Sequence, residues 1–327
     1  MYSKRLFMIS AIAGASLFLG ACATDTGPDT ARALGTYECG QLEVAVTASG
    51  EGDMLSVAYQ GKRQLLKQQV SASGERYVAP GDDETSFWIK GDRAWFTVRG
   101  QAYPECLRAG ALEMPFEATG NEPFWHVRIQ GDTLLFNRPY ESSGPEKIAL
   151  ETTVANRHGR EFRGELDGQE LTLKVARQLC EDTMSGAQFP AQVRLELNGE
   201  VFKGCGGDPE RLFRGAQWVV DDLAGTGIID RSRMTIEFFD DNRVAGRASC
   251  NRYGGQYELT GEGISFSSMY ATKMACAPAL MNQEDRFLEL LSRVKRASIG
   301  RNGELLLTTS EGEIITAFKS TETTGGQ

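Results

Sequence analysis

Two short stretches place a small hydroxyl and an ammonium beside glycine-marked turns: Ser73-Gly74 in SASGERY and Lys90-Gly91 in FWIKGDRA. A serine hydroxyl can donate or accept a hydrogen bond in a narrow cleft. An ammonium placed between two carboxylates favours ionisation of both, and so removes a general acid that depends on one of them staying protonated. A paired tip of this kind would block a carboxylate site rather than perform chemistry of its own. Taken singly, each residue has a plainer reading, Lys90 as a solvated strand-end lysine and Ser73 as a turn-stabilising hydroxyl. Their pairing is what points to function.

Strands must hold these tips. LEVAVTA from 42, MLSVAYQ from 54, RQLLKQQV from 63, SFWIK from 86 and AWFTV from 94 alternate or run apolar between Gly, Asp and Ser clusters. Along SFWIK, Trp88 and Lys90 fall on one face and Phe87 and Ile89 on the other. Gly91-Asp92 suits a two-residue hairpin loop with glycine at its first central position. An antiparallel barrel or sandwich is expected over residues 36–110.

YECG, SASGERY, FWIKGDRA and the closing Cys106 together resemble the family of bacterial lipoproteins that inhibit c-type lysozymes. The resemblance implies an eight-stranded barrel closed by one disulfide, with Ser73 and Lys90 inserted into the lysozyme cleft and Gly74, Tyr77 and Gly91 supporting the binding loops. Lysozyme catalysis needs one carboxyl held neutral and one ionised, which an inserted ammonium would defeat. PGDDET lengthens the connection between the two motifs and would add acid near the tip. The segment 36–110 is expected to fold and inhibit alone, since it holds both motifs and both of its cysteines.

Lys4 and Arg5 precede an apolar run from Leu6 to Phe18, too short to span a bilayer, as in a secretory signal. It closes on Leu19-Gly20-Ala21-Cys22, which resembles a lipobox. The resemblance implies cleavage of residues 1–21, acylation of Cys22 and membrane contact through that lipid alone, while Ala23 after the cysteine resembles the signal for transfer to the outer membrane, facing the periplasm. Residues 22–35 read as the acylated cysteine and a tether. The formal charge of −9 becomes −11 without Lys4 and Arg5, which disfavours nucleic acid and is compatible with a basic partner.

Apart from Cys22, six cysteines remain, an even number suited to an oxidising compartment, and they allow fifteen pairings. Sequential pairing gives three non-overlapping loops, Cys39 to Cys106, Cys180 to Cys205 and Cys250 to Cys276, each between Gly/Pro-rich breaks near 110 and 210. With no CxxC, and with His126 and His158 the only histidines, neither a metal site nor a cofactor is expected.

Residues 111–210 read as a middle β-rich domain in which Trp125, Val127 and Ile129 alternate, as do Val193, Leu195 and Leu197. NEPFW and the C-x-D-x-MSG run at 180 resemble an uncharacterised family of small secreted bacterial domains. Asn121, Glu122, Asp182 and Ser185 are candidate site residues, and a hydrolase could be built on Ser185 with His126 or His158. TMSGAQ lacks a G-x-S-x-G elbow, however, so Asp182 and Ser185 are read as bonding the turn after Cys180 and no catalytic residue is assigned. GCGGDP lacks the following Lys-Ser/Thr of a phosphate loop.

Residues 211–320 read as strands plus one amphipathic helix opened by Pro278, with Met281, Phe287, Leu288, Leu291 and Val294 on its apolar face, acids early and basic residues late. GRASCNRYGGQYEL and ATKMACAPALMNQEDRFLELL resemble the META domain, the heat-shock HslJ-like family associated with envelope stress. Asn251 and Arg252 are read as a hydrogen-bonded turn beside a disulfide rather than a ligand site. The fold class expected is mainly β: an N-terminal antiparallel β-barrel, a middle β-rich domain, a C-terminal α+β META-type domain with one amphipathic helix, and a tail at 321–327. Two functions compete, a lipid-anchored inhibitor of c-type lysozyme and an envelope-stress or structural lipoprotein without inhibition.

Overall fold

The computed structural model describes residues 32–49, 53–139, 144–230 and 232–320. The expected signal sequence, Cys22 and the tail at 321–327 lie outside them. The described chain is mainly β, with barrel-like sheets and a single α-helix near its C-terminus. Among the described residues no helix is long and apolar enough to cross a membrane.

The first sheet is built from β1 (Arg32–Cys39), β2 (Leu42–Ser49), β3 (Met54–Tyr59), β4 (Lys62–Gln69), β5 (Glu75–Ala79), β6 (Asp82–Lys90), β7 (Arg93–Val98), β8 (Gln101–Ala102) and β9 (Cys106–Arg108). Neighbouring strands pair antiparallel in chain order from β1 to β7; β9 then bridges β7 to β1 and closes an eight-stranded barrel, with β8 hanging on β7. Alternation dictates what fills it. Val44, Val46, Leu55, Val57, Phe87 and Phe96 point inward and are buried, while their sequence neighbours face out. Cys39 and Cys106 stand opposite each other on β1 and β9 and are bonded.

Two sequence expectations change here. Residues 32–35, read as the end of a tether, belong to β1 and pair with β2 around an irregularity between Ala33 and Gly35. Their own side chains carry no alternation; the partner strand supplies the order. PGDDET lies at the far end of the β5–β6 hairpin from the two glycine motifs, because β5 runs away from Gly74 and β6 returns to Lys90. There Thr85 donates to Asp82 at 2.6 Å and accepts from the Arg99 amide at 2.9 Å, so this acid braces the opposite rim.

The second sheet has nine strands, running in space from Glu146–Ala149 through Thr133–Asn137, Phe124–Gln130, Phe116–Asn121, Glu200–Gly206, Ala191–Leu197, Gln169–Ala176 and Gly159–Leu166 to Glu151–Asn156. Trp125, Val127, Ile129, Val193, Leu195 and Leu197 all point into its core. The Cys180–Cys205 bond fastens a small hairpin, Cys180–Glu181 with Gln188–Phe189, to the strand Glu200–Gly206.

The third sheet has eight strands, with Gln217–Leu223 beside Ile314–Lys319 at its centre, and α1 (Pro278–Arg293) packs on it through Phe287, Leu290 and Leu291. The helix face differs from the one periodicity suggests. Met281 is 42% exposed, Val294 opens the following strand, and the first turn carries no acid. Leu290 and, unexpectedly, Glu284 are buried instead. Arg293 in the last turn pairs with Glu289, Glu311 and Glu313.

Candidate functional site

The two glycine motifs meet at one rim of the barrel. Ser73-Gly74 leads into β5, Lys90 ends β6, and Glu75 pairs with Ile89 in register, which sets the motifs side by side. Gly74 has φ +67°, and a Cβ built on it would lie 2.3 Å from the Ile89 carbonyl oxygen and 2.7 Å from Lys90 Cγ. Only glycine allows that approach. Lys90 and Arg93 face each other across the Gly91-Asp92 loop, with Gly91 at φ +61°, as a two-residue hairpin requires.

One indole joins the two tips. Trp88 Nε1 donates to the Ser73 carbonyl at 2.9 Å, while the Lys90 ammonium sits 3.7 Å from the Trp88 ring centroid and 5.5 Å from that of Trp95. Trp88 and Trp95 oppose each other on neighbouring strands, their rings 5.5 Å apart. A cation over an indole face is stabilised by about 0.5–1 kcal/mol where it is exposed, enough to bias a side chain without locking it. Ser71 Oγ donates to the carbonyls of Ser73 and Gly74 at 3.0 and 2.8 Å and shapes the other loop. Ser73, Gly74 and Gly91 are exposed and Lys90 is half-buried. The rim therefore presents one free hydroxyl and one ammonium braced from below, which suits insertion into an acidic cleft.

Tyr77, expected to support the binding loops, lies in β5 just after Ser73-Gly74, with 2% of its surface exposed. Burial, helped by its hydrogen bond to Glu75, pushes its phenol up to about 12. Its role is to anchor the strand from inside the barrel. Trp88 as the link between motifs was not singled out from the sequence, although its place two residues before Lys90 puts both on one face.

The other candidate residues resolve into local structure. Asp182 accepts from the amides of Met184 and Ser185 at 3.1 and 2.7 Å, from Ser185 Oγ at 2.7 Å and from Asn121 Nδ2 at 2.7 Å. Burial raises its carboxyl, but these bonds outweigh that and hold it below the usual range. Glu122 lies exposed in the turn between two strands. His126 lies 3.8 Å from Glu117, and His158 accepts from its neighbour Arg157, so neither is directed to Ser185 by these contacts. Asn251 is 4% exposed and serves a network: its amide and Nδ2 donate to Glu284 at 2.7 and 2.9 Å, and its Oδ1 accepts from Thr272 Oγ1 and the Met274 amide, each at 2.7 Å. Arg252 is exposed beside it. Disulfides join Cys180 to Cys205 and Cys250 to Cys276 close to these two clusters. Among the described residues no group of His, Cys, Asp and Glu is arranged to hold a metal ion.

Comparison with known families gives two matches. The family described as membrane-bound lysozyme-inhibitor of c-type lysozyme (MliC) matches residues 37–104, and the META domain family matches residues 211–322. The chain thus carries an MliC domain and a META domain. No curated protein matches. Among solved structures, one described as the NMR structure of the protein from Burkholderia xenovorans is 24% identical, covering 34% of this chain and 86% of its own, with a TM-score of 0.30. A second, described as the NMR structure of the protein, is 23% identical over 34% of this chain and 93% of its own, with a TM-score of 0.29. Scores this low carry no argument about the fold.

Proposed function

We propose that the chain is a lipid-anchored inhibitor of c-type lysozyme that inserts Ser73 and Lys90 into the enzyme's cleft. The MliC domain at residues 37–104 supports a lysozyme-inhibitor reading. The observation that carries the finer reading is the contact of Gly74 with Ile89 and Lys90, bridged by Trp88, which unites two motifs seventeen residues apart into one tip. The three sheets are read as three units, 36–110, 111–210 and 211–320, on an anchor at Cys22, with the MliC barrel as the active part. A turbidity assay with the full chain lacking residues 1–22 against a c-type lysozyme tests the proposal. Failure to inhibit would favour a stress or structural lipoprotein built around the META domain.

Ser73→Ala is expected to weaken inhibition by about 0.5–1.5 kcal/mol, the worth of one neutral hydrogen bond. The fold should not change, because Trp88 holds the Ser73 carbonyl and not its hydroxyl. Inhibition constants with thermal midpoints for both proteins check this; an equal inhibition constant would remove Ser73 from the contact.

For the anchor, radiolabelled palmitate is expected to label the protein in a bacterial host, and Cys22→Ser to abolish both label and outer-membrane fractionation. The motif Leu19-Gly20-Ala21-Cys22 motivates this expectation. Label retained in the variant would place the anchor elsewhere, and label found in the inner membrane would overturn the reading of Ala23.

A further inference from the structure

We propose that Arg160, from the middle unit, is a positioning residue for the inhibitory tip: it holds the Gly91-Asp92 turn and neutralises Asp92 beside Lys90. The inference rests on the insertion reading above and gives the middle unit a part in it.

Arg160 lies on the strand Gly159–Leu166 of the second sheet, 68 residues from the hairpin it reaches. Its Nη2 is 2.8 Å from Asp92 Oδ2, and its Nε donates to the Gly110 carbonyl at 2.5 Å. The Arg160 side chain is 16% exposed, whereas Asp92 is 53% exposed. The contact is therefore not a loose surface pair: the guanidinium is enclosed between the units and forks onto two partners. Asp92 is also held through its main chain, its carbonyl accepting from the Arg108 amide at 2.8 Å. The turn that follows Lys90 is thus tied to the barrel by backbone and to the second unit by side chain.

The seam around this contact is close. A Cβ on Gly110 would lie 2.4 Å from the carbonyl oxygen of Asn156, which ends the strand Glu151–Asn156 beside that of Arg160. Arg177, just past the strand Gln169–Ala176, pairs with Glu38, the residue before Cys39. The middle unit is seated on the barrel at the hairpin's side, and its placement does not depend on Arg160 alone.

Electrostatics gives the contact its consequence. A cleft that works through two carboxylates attracts Lys90 and repels Asp92, and the two stand two residues apart in one turn. Arg160 offsets the Asp92 charge, so within this turn the Lys90 ammonium is not cancelled by its neighbour. Without Arg160, the exposed carboxylate opposes the insertion that Lys90 drives, and the loop loses a support. A barrel cut at residue 110 loses this partner, so the expectation that 36–110 inhibits alone is revised to weaker inhibition than the whole chain shows.

The test uses the full chain without residues 1–22 and compares inhibition constants for the wild type, Arg160→Ala, Asp92→Asn and the double variant. At low salt Arg160→Ala should inhibit roughly tenfold more weakly, and Asp92→Asn should stay within about twofold of the wild type. The double variant should recover to within about threefold of the wild type, and high salt should narrow the Arg160→Ala deficit. A purely structural ion pair would instead make both single variants equally poor and the double no better. That result, or an Arg160→Ala variant that matches the wild type, overturns the inference. A wild type that fails to inhibit sinks the insertion reading itself, and this inference with it, before any variant is compared. Amide exchange in the free chain is the second measurement: Arg160→Ala should speed exchange at the Arg108 amide, which donates to the Asp92 carbonyl, and an unchanged rate would overturn the claim that it holds the turn.

Discussion

Lys90→Ala weakens inhibition by about 2 kcal/mol or more, roughly thirtyfold, as the expected result of removing a desolvated charge from a carboxylate cleft. In the free chain the ammonium rests over Trp88, so the substitution also removes a cation–π contact. That contact contributes about 0.5–1 kcal/mol, and stability should therefore fall only slightly. Lys90→Arg should lose affinity too, because a planar fork does not replace a point charge in a narrow site. Raising salt should slow association of the wild type more than it speeds dissociation, since the inserted contact is shielded from solvent. Inhibition constants and thermal midpoints in one buffer decide the matter. If Lys90→Ala inhibits as well as the wild type, or loses inhibition only by unfolding, the insertion mechanism is wrong.

Glu284→Ala should strongly destabilise the C-terminal unit. The Glu284 carboxylate lies on α1, 7% exposed, and accepts from both the amide and the side chain of Asn251. Truncation leaves two buried donors without their acceptor, at about 1–3 kcal/mol each. Asn251 also receives Thr272 and Met274, so the segment leading to Cys276 loosens with it. For a unit of this size a loss of ~3 kcal/mol lowers the midpoint by roughly 10 °C or more. Glu284→Gln keeps the volume and one carbonyl acceptor and should cost less. Calorimetry of the three proteins measures the difference, and an unchanged midpoint for Glu284→Ala would show that the network contributes nothing. Lysozyme inhibition should persist at a temperature where the variant remains folded.

Where local pattern determines structure, the sequence could be read closely. Alternation in SFWIK sends Phe87 into the barrel and leaves Trp88 and Lys90 together outside it. The Gly91-Asp92 loop follows from glycine's freedom at positive φ. Long-range partners explain the rest. Glu284 is buried because Asn251, 33 residues earlier, needs an acceptor there, and no helical periodicity reports that. Met281 looks equally apolar from sequence yet stays 42% exposed. Residues 32–35 become strand only because β2 offers a partner, and PGDDET moves from the tip to the far rim once β5 and β6 are seen as one hairpin. Arg160 could not be linked to Asp92 at all, since neither residue type nor spacing distinguishes it from other strand arginines.

The three disulfides link consecutive cysteines, with separations of 67, 25 and 26 residues, and no bond's loop encloses a cysteine of another. For a chain delivered N-terminus first, this sets an assembly schedule. Cys39 can meet Cys106 before Cys180 emerges, and Cys180 can meet Cys205 before Cys250 does. At each stage the newest free thiol has only its native partner waiting among the cysteines of the three sheets. Were the chain exported in this order, emergence alone would sort the fifteen possible pairings, and a general oxidant would suffice where an interleaved set of bonds would need shuffling.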